Sequence, residues 1–205
     1  MSELPQDVKG MGSSDASDAL LSLGVVGVLK GVHSFVGSKR LLGFAKTVLI
    51  APNGKNGMSM KDGFLQACKN SSQFTILVIA TENENYSAFG GLTSFIAKES
   101  GISGVVVCGS FRDFQEIKER DLPVFSKSVS PLIPKEGQYV TSIGEPVEYK
   151  GVKINSGDLV VGDEDGVTIV PFPLLNEVLR ITKQKRKDEE ITKAKLQKYF
   201  DSLIK

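Results

Sequence analysis

Histidine is almost missing from this chain of 205 residues: there is one, His33. A zinc site of the His/Cys type therefore lacks ligands, and a Ser-His-Asp triad could be built only on that residue. Its one polar neighbour is Ser34, within the apolar stretch 31–37, so a core or surface place is expected rather than catalysis. Cysteine is scarce as well. Cys68 and Cys108 both sit in apolar surroundings, which excludes a disulfide framework and leads us to expect buried free thiols in a reducing, cytoplasmic setting. Long hydrophobic runs are absent too. The best, 74–80 and 104–108, fall far short of the roughly 20 residues of a membrane span. Residues 1–10 carry acids and a proline where an export signal needs positive charge and then an apolar run. Nor is there an excess of charge, with 25 Lys and Arg against 24 Asp and Glu, so no global electrostatic argument favours a nucleic-acid partner, and none is expected. Finally, no G-x-G-x-x-G follows a strand and no G-x-x-x-x-G-K-[ST] occurs, which removes dinucleotide and P-loop sites.

What is present is an ordinary globular composition, 40% hydrophobic, in a length that suits one domain. A core over about 12–171 and a helical arm over about 173–205 are expected. Residues 44–51, 74–80, 104–108 and 123–125 are predicted strands, each a short apolar run. Leu92, Phe95 and Ile96 give a helical face that Gly101 would terminate, and 114–120 reads as a short helix. That alternation predicts a mainly parallel βαβ core. Lys150-Gly151 and the segment 162–166 each separate two apolar runs, so β-hairpins decorate it. Asp15 and Asp18 are placed to cap a first helix. After Pro171 and Pro173, Leu174, Leu175, Val178 and Leu179 recur at helical spacing. Residues 180–205 hold nine Lys and Arg against four acids, yet acids interrupt the run, so a solvated arm with a small apolar end (Leu196, Phe200, Leu203) is expected.

Three places carry candidate chemistry. Gly90-Gly91-Leu92 opens the helix at 92–100, and glycines there either expose N–H groups at a positive helix end to a carboxylate or phosphate, or permit a tight turn. Arg112-Asp113 follows the strand at 104–108 and would share an edge with that turn. Asp offers a hard oxygen to Mg²⁺ and Arg a fork for a 2-oxo acid; alternatively Asp113 caps the next helix and Arg112 is its surface partner. The acidic stretch 157–167 departs from a calcium loop and reads as turn chemistry.

Taken in order, Ser14-Asp15-Ala16-Ser17-Asp18-Ala19-Leu20, Gly43 to Val48, Gly90-Gly91-Leu92, Gly104 to Val107, Gly109, Arg112-Asp113, Gly157-Asp158 and Asp163-x-Asp165-Gly166-Val167 resemble the RraA-like family. That family includes class II 4-hydroxy-4-methyl-2-oxoglutarate aldolases and regulators of ribonuclease E. The resemblance implies an α/β fold, the ββα sandwich of swivelling-domain type. It implies a homotrimer or homohexamer with sites between subunits. By the same resemblance Asp113 binds a divalent metal, Mg²⁺ first and Mn²⁺ or Co²⁺ next. Arg112 holds keto and carboxylate oxygens, and the N–H groups around Gly90, Gly91 and Leu92 take the rest of a small 2-oxo acid. A lyase is implied, acting by aldol cleavage or by oxaloacetate decarboxylation through a pyruvate enolate; the alternative is a non-catalytic binding protein that regulates a ribonuclease or other partner. Aldolases of the family carry an acid just before the leucine, where this chain has Gly91, and borrow a tail glutamate from a neighbouring subunit, a place open to Glu189 or Glu190.

Overall fold

The computed structural model describes residues 6–37, 40–52 and 57–203. Helices α1 (Gln6–Lys9) and α2 (Ser13–Ser22) lead into strands β1 (His33–Val36), β2 (Leu41–Pro52) and β3 (Met58–Ser59). Helix α3 (Met60–Cys68), β4 (Thr75–Thr81), β5 (Ser87–Phe89) and α4 (Gly91–Glu99) follow. Next come β6 (Gly104–Phe111), α5 (Phe114–Glu119), β7 (Val124–Val129) and β8 (Gln138–Ile143). The hairpin strands β9 (Val147–Tyr149) and β10 (Val152–Ile154), then β11 (Leu159–Asp163) and β12 (Gly166–Val170), precede helix α6 (Leu175–Leu203).

The main sheet runs β1-β7-β6-β4-β2-β11-β12. Strands β2, β4, β6 and β7 are parallel neighbours, and antiparallel pairs close both sides. The 12-residue β2 serves two partners along one edge. Its start pairs with β11 (Phe44 opposite Leu159) and its end with β8 (Ile50 opposite Val140). Every residue of β6 is buried, as a parallel strand covered on both faces requires.

On one face Phe64, Ile96 and Ile117 from the three short helices α3, α4 and α5 pack against Val48, Ile79 and Val107. On the other, Val147, Tyr149, Val152 and Ile154 of the hairpin cover Ile76, Val78 and Val106. Helices, mixed sheet and hairpin layer make a ββα sandwich, as expected. Each fully buried aliphatic or phenyl group contributes about 1.5–3 kcal/mol of hydrophobic stabilisation. A third cluster joins α2 and Val178 of α6 to Leu159, Val161 and Val170.

Several expectations are adjusted. The strand at 123–125 continues to Val129, because small hydroxyls satisfy themselves within the ladder: Ser126 donates to the Gly109 carbonyl at 2.7 Å, and Ser110 and Ser128 lie 2.7 Å apart. Helix α3 and strand β8 escaped the sequence reading. Gly63 lowers the propensity of α3, yet it is needed where the helix backbone rests directly on the Val140 side chain. Asp15 accepts the Gly12 N–H at 3.1 Å at the start of α2, but Asp18 pairs with Lys185 instead of capping. With the ion pair of Asp15 and Arg186, that contact fastens the first half of α6 to α2. From Lys187 onward every described residue of α6 is exposed. His33 is exposed at the start of β1. Both thiols are free and buried, and burial, followed by the charge of Glu84, pushes Cys108 up to about 12, so it is an inert core group. No described helix is long and apolar enough to cross a membrane.

Candidate active site

Strand β5 pairs in parallel with the last residues of β6, Ser87 opposite Ser110 and Phe89 opposite Phe111. The residues that leave these two strands are therefore neighbours: the Arg112 N–H donates to the Phe89 carbonyl at 2.9 Å. In this way Gly90-Gly91 and Arg112-Asp113, some twenty residues apart in the chain, meet at the carboxyl ends of the parallel strands.

Asp113 stands at the cap position of α5, but in the left-handed conformation (φ 62°, ψ 41°) and with no side-chain cap bond. A non-glycine residue held there costs on the order of 1–2 kcal/mol. The twist carries its carboxylate away from its own helix and across to α4, where Oδ2 accepts the Gly91 N–H at 2.8 Å. Arg112 lies beside it, Nε 3.6 Å from the same oxygen. Both side chains are about 40% exposed, which makes the pair a weak contributor to stability. The simple capping reading of Asp113 is thus corrected, and Gly91's N–H, expected to face a ligand, already serves Asp113. The N–H groups of Leu92 and Thr93, next in the turn, have no acceptor within their own helix.

The glycine pair is explained by room and not by turn geometry. Gly90 is extended (φ −163°), a conformation open to any residue. A Cβ on Gly90 would stand 2.8 Å from Asp113 Oδ2 and 3.1 Å from Arg112 Cγ. One on Gly91 would fall 2.6 Å from Glu116 Cδ and 2.7 Å from its Oε1. Three charged side chains pack directly onto the backbone of this helix start.

Gly90, Gly91, Leu92, Arg112 and Asp113 line a cavity of about 190 Å³ whose other wall is Met60, Thr93, Ile133, Gly137 and Gln138, while Glu116 packs behind Gly91, outside that lining. No lysine lines it. Gln138 was missed because β8 was missed; its Nε2 is buried with no hydrogen-bond partner among the described residues. Glu116 was missed because only the fold carries it to Gly91. Glu189 and Glu190 lie elsewhere in this chain, exposed on α6. Glu189 borders a groove of about 700 Å³ between α2 and α6, and neither residue reaches the Arg112 cavity.

A cation bound here would have few protein ligands, since no described cluster brings three or more His, Cys, Asp or Glu together. That donor set fits an ion of magnesium type, which keeps most of its water and takes one or two carboxylates, and Asp113 would hold it.

Fold and cavity define the class: an α/β sandwich with a small site, one carboxylate and one guanidinium on a helix start, at the strand ends. Comparison with known proteins gives the family. The family description RraA-like, Aldolase/RraA, matches residues 13–169, and the chain belongs to that family. A Halalkalibacterium halodurans protein provisionally named 4-hydroxy-4-methyl-2-oxoglutarate aldolase is 32% identical over 178 residues, 86% of this chain and 79% of that one. Protein DlpA of Legionella pneumophila is 28% identical over 190 residues, 93% of this chain; this chain spans only 31% of DlpA. Among solved structures, Streptomyces coelicolor RraAS2, described as an unusual member of the RNase ES inhibitor RraA protein family, matches with a TM-score of 0.82. That match covers 95% of this chain and 98% of that one at 22% identity, a likeness of fold.

Proposed function

We propose that this chain is a divalent-cation-dependent lyase acting on pyruvate-derived 2-oxo acids, by aldol cleavage of the 4-hydroxy-4-methyl-2-oxoglutarate type, by oxaloacetate decarboxylation, or both. One observation carries the reading: Arg112 and Asp113 converge on the start of α4 inside a cavity of about 190 Å³. The volume suits a small acid, being below the ~300–1,000 Å³ of drug-sized pockets. The aldolase name of the Halalkalibacterium halodurans relative agrees with it.

Each residue has a task. The N–H groups of Leu92 and Thr93 take a substrate carboxylate at the positive end of α4. Arg112 forks to the keto and carboxylate oxygens, orients the substrate, and offsets the charge that gathers on the keto oxygen as the C–C bond breaks. Asp113 is the residue that would hold a divalent cation, Mg²⁺ first. When bound, the cation supplies Lewis-acid stabilisation of the same developing charge. The bonding pair ends on the pyruvate fragment as its enolate and the other fragment leaves as CO₂ or as a carbonyl compound; a proton then returns to carbon. Decarboxylation needs no base at a hydroxyl. Aldol cleavage does, and Glu189 or Glu190 of a neighbouring copy is our candidate, in a trimer or hexamer with sites at subunit interfaces. Exposed Leu92 and Phe95 beside the site, 58% and 50% accessible, support such an interface.

A second reading, a non-catalytic binding protein that regulates a ribonuclease or other partner, is favoured by the exposed Leu196, Tyr199, Phe200 and Leu203 at the end of α6. Pyruvate release separates the two. Oxaloacetate and 4-hydroxy-4-methyl-2-oxoglutarate are each supplied with Mg²⁺, with EDTA, and to Asp113→Ala, with lactate dehydrogenase as reporter. Turnover that needs both metal and Asp113 is expected. Rates no better than free Mg²⁺ on both substrates would move the binding reading to the front.

A further inference from the structure

The carboxylate on Gly91 has a role beyond packing. We propose that Glu116 is the second carboxylate of this site, a positioning residue that accepts hydrogen bonds from water held around a divalent cation at Asp113. The inference rests on the reading of Asp113 as the cation's ligand.

The geometry behind it is specific. Asp113 precedes α5 as its left-handed cap residue and Glu116 stands in the first turn of the helix. Both reach across to the same residue of α4: Asp113 takes the Gly91 N–H at 2.8 Å, and Glu116 covers its Cα, where a Cβ would meet Cδ at 2.6 Å. Helix α5 thus presents two acids to one peptide unit, and glycine at 91 is the condition for the second.

Glu116 is also held in place. Its Oε1 receives the Arg120 Nη2 at 2.7 Å, and the Arg120 guanidinium lies over the Phe95 ring, 5.8 Å from the centroid. Among the described residues Oε2 has no protein donor, and it is the oxygen nearest to Gly91. A side chain of α5 alone would not need this arrangement, since Glu116 can pair with Arg120 anywhere along the solvent face. What the contact with Gly91 adds is a negative charge against the same residue whose N–H Asp113 accepts, in a site whose protein ligands are otherwise too few to hold a divalent ion tightly. Outer partners of this kind typically change metal affinity 10–100-fold.

Mn²⁺ titrated into the metal-free full-length protein, with free Mn²⁺ followed by electron paramagnetic resonance, tests the proposal without any substrate. Asp113→Ala should abolish binding, which checks the underlying reading. Glu116→Gln keeps an acceptor for Arg120 and the shape of the side chain; its Kd should rise at least tenfold while Tm stays within about a degree. Gly91→Asp should bind poorly, because its carboxylate collides with Glu116, and Gly91→Asp combined with Glu116→Ala should recover affinity to within about threefold. A wild-type Kd in Glu116→Gln, or a double variant no better than Gly91→Asp, overturns the role of Glu116 and leaves the Asp113 site standing. Wild-type protein that shows no Asp113-dependent Mn²⁺ binding overturns both.

Discussion

Two helices of this molecule begin against a carboxylate from a distant part of the chain, and the two places differ in every other respect. At α2, Asp163 accepts the Ser13 N–H at 2.7 Å and the Ser13 hydroxyl at 2.5 Å, and also the Asp165 N–H at 3.1 Å. Ser13 is buried, and the Thr168 hydroxyl donates to its carbonyl at 2.9 Å. That carboxylate, with three hydrogen bonds on its two oxygens, ties α2 to the β11–β12 turn. At α4, Asp113 accepts a single backbone N–H, stays about 40% exposed, sits in a left-handed backbone and has Arg112 beside it in a cavity. Same motif, opposite economy of hydrogen bonds: the Asp163 carboxylate accepts three, the Asp113 carboxylate one.

The sharpest way to break the contrast is to remove each acid. In Asp113→Ala, pyruvate release should fall by about two to three orders of magnitude, the scale of losing one preorganised charge in a site, with Tm almost unmoved. A variant that retained a tenth of the turnover would place Asp113 in the structural class. Asp163→Ala should do the reverse. Loss of the cap costs about 2 kcal/mol, which lowers Tm by about 4–8 °C in a chain of this size, while turnover per folded molecule persists.

Acid titration sharpens it further. Burial works to raise the Asp163 carboxyl, but the hydrogen bonds from Ser13 and Asp165, helped by the charge of Arg40, outweigh it and hold the group below the ordinary range. A folded pKa below the unfolded value of about 3.9 adds stability that is complete above that value and is lost as pH falls through the folded pKa. Urea midpoints of wild type and Asp163→Asn should therefore differ by a constant amount from pH 7 to 5 and converge below about pH 4. A gap that persists unchanged to pH 2 would mean that the carboxylate's charge is not what holds α2.

The smallest effect is that of metal. At ten times its Kd, Mg²⁺ should stabilise the fold by about 1.4 kcal/mol, a rise in Tm of about 3–6 °C that EDTA reverses. The rise should survive in Asp163→Ala and vanish in Asp113→Ala. Equal shifts in both variants would put the ion elsewhere.

Much of this was legible before folding. The apolar runs at 74–80 and 104–108 are buried strands, the glycine hairpin at 150–151 is β9–β10, and Arg112-Asp113 and Gly90-Gly91-Leu92 were singled out as candidates. Local rules sufficed there because continuous apolar runs and turn glycines carry their own signal. They failed at α3, where Gly63 breaks the helix's own pattern so that its backbone can rest on Val140, and at β8, where a single buried residue, Val140, stands among polar or partly exposed ones. The contact of Glu116 with Gly91 was equally invisible locally, because the fold brings it from another helix.

From the sequence alone came the parallel rhythm of the sheet, the shortage of His/Cys ligands and of histidines for a triad, and the candidate residues Gly90-Gly91-Leu92 and Arg112-Asp113. Tertiary structure decided which of those residues meet. The short pairing of β5 with the end of β6 sets Gly90 beside Arg112, and the left-handed Asp113 turns its carboxylate to α4. A chain's local preferences extend over a few residues, whereas a site is made of groups brought together across twenty or more, and only the packing of strands and helices sets the distances between them.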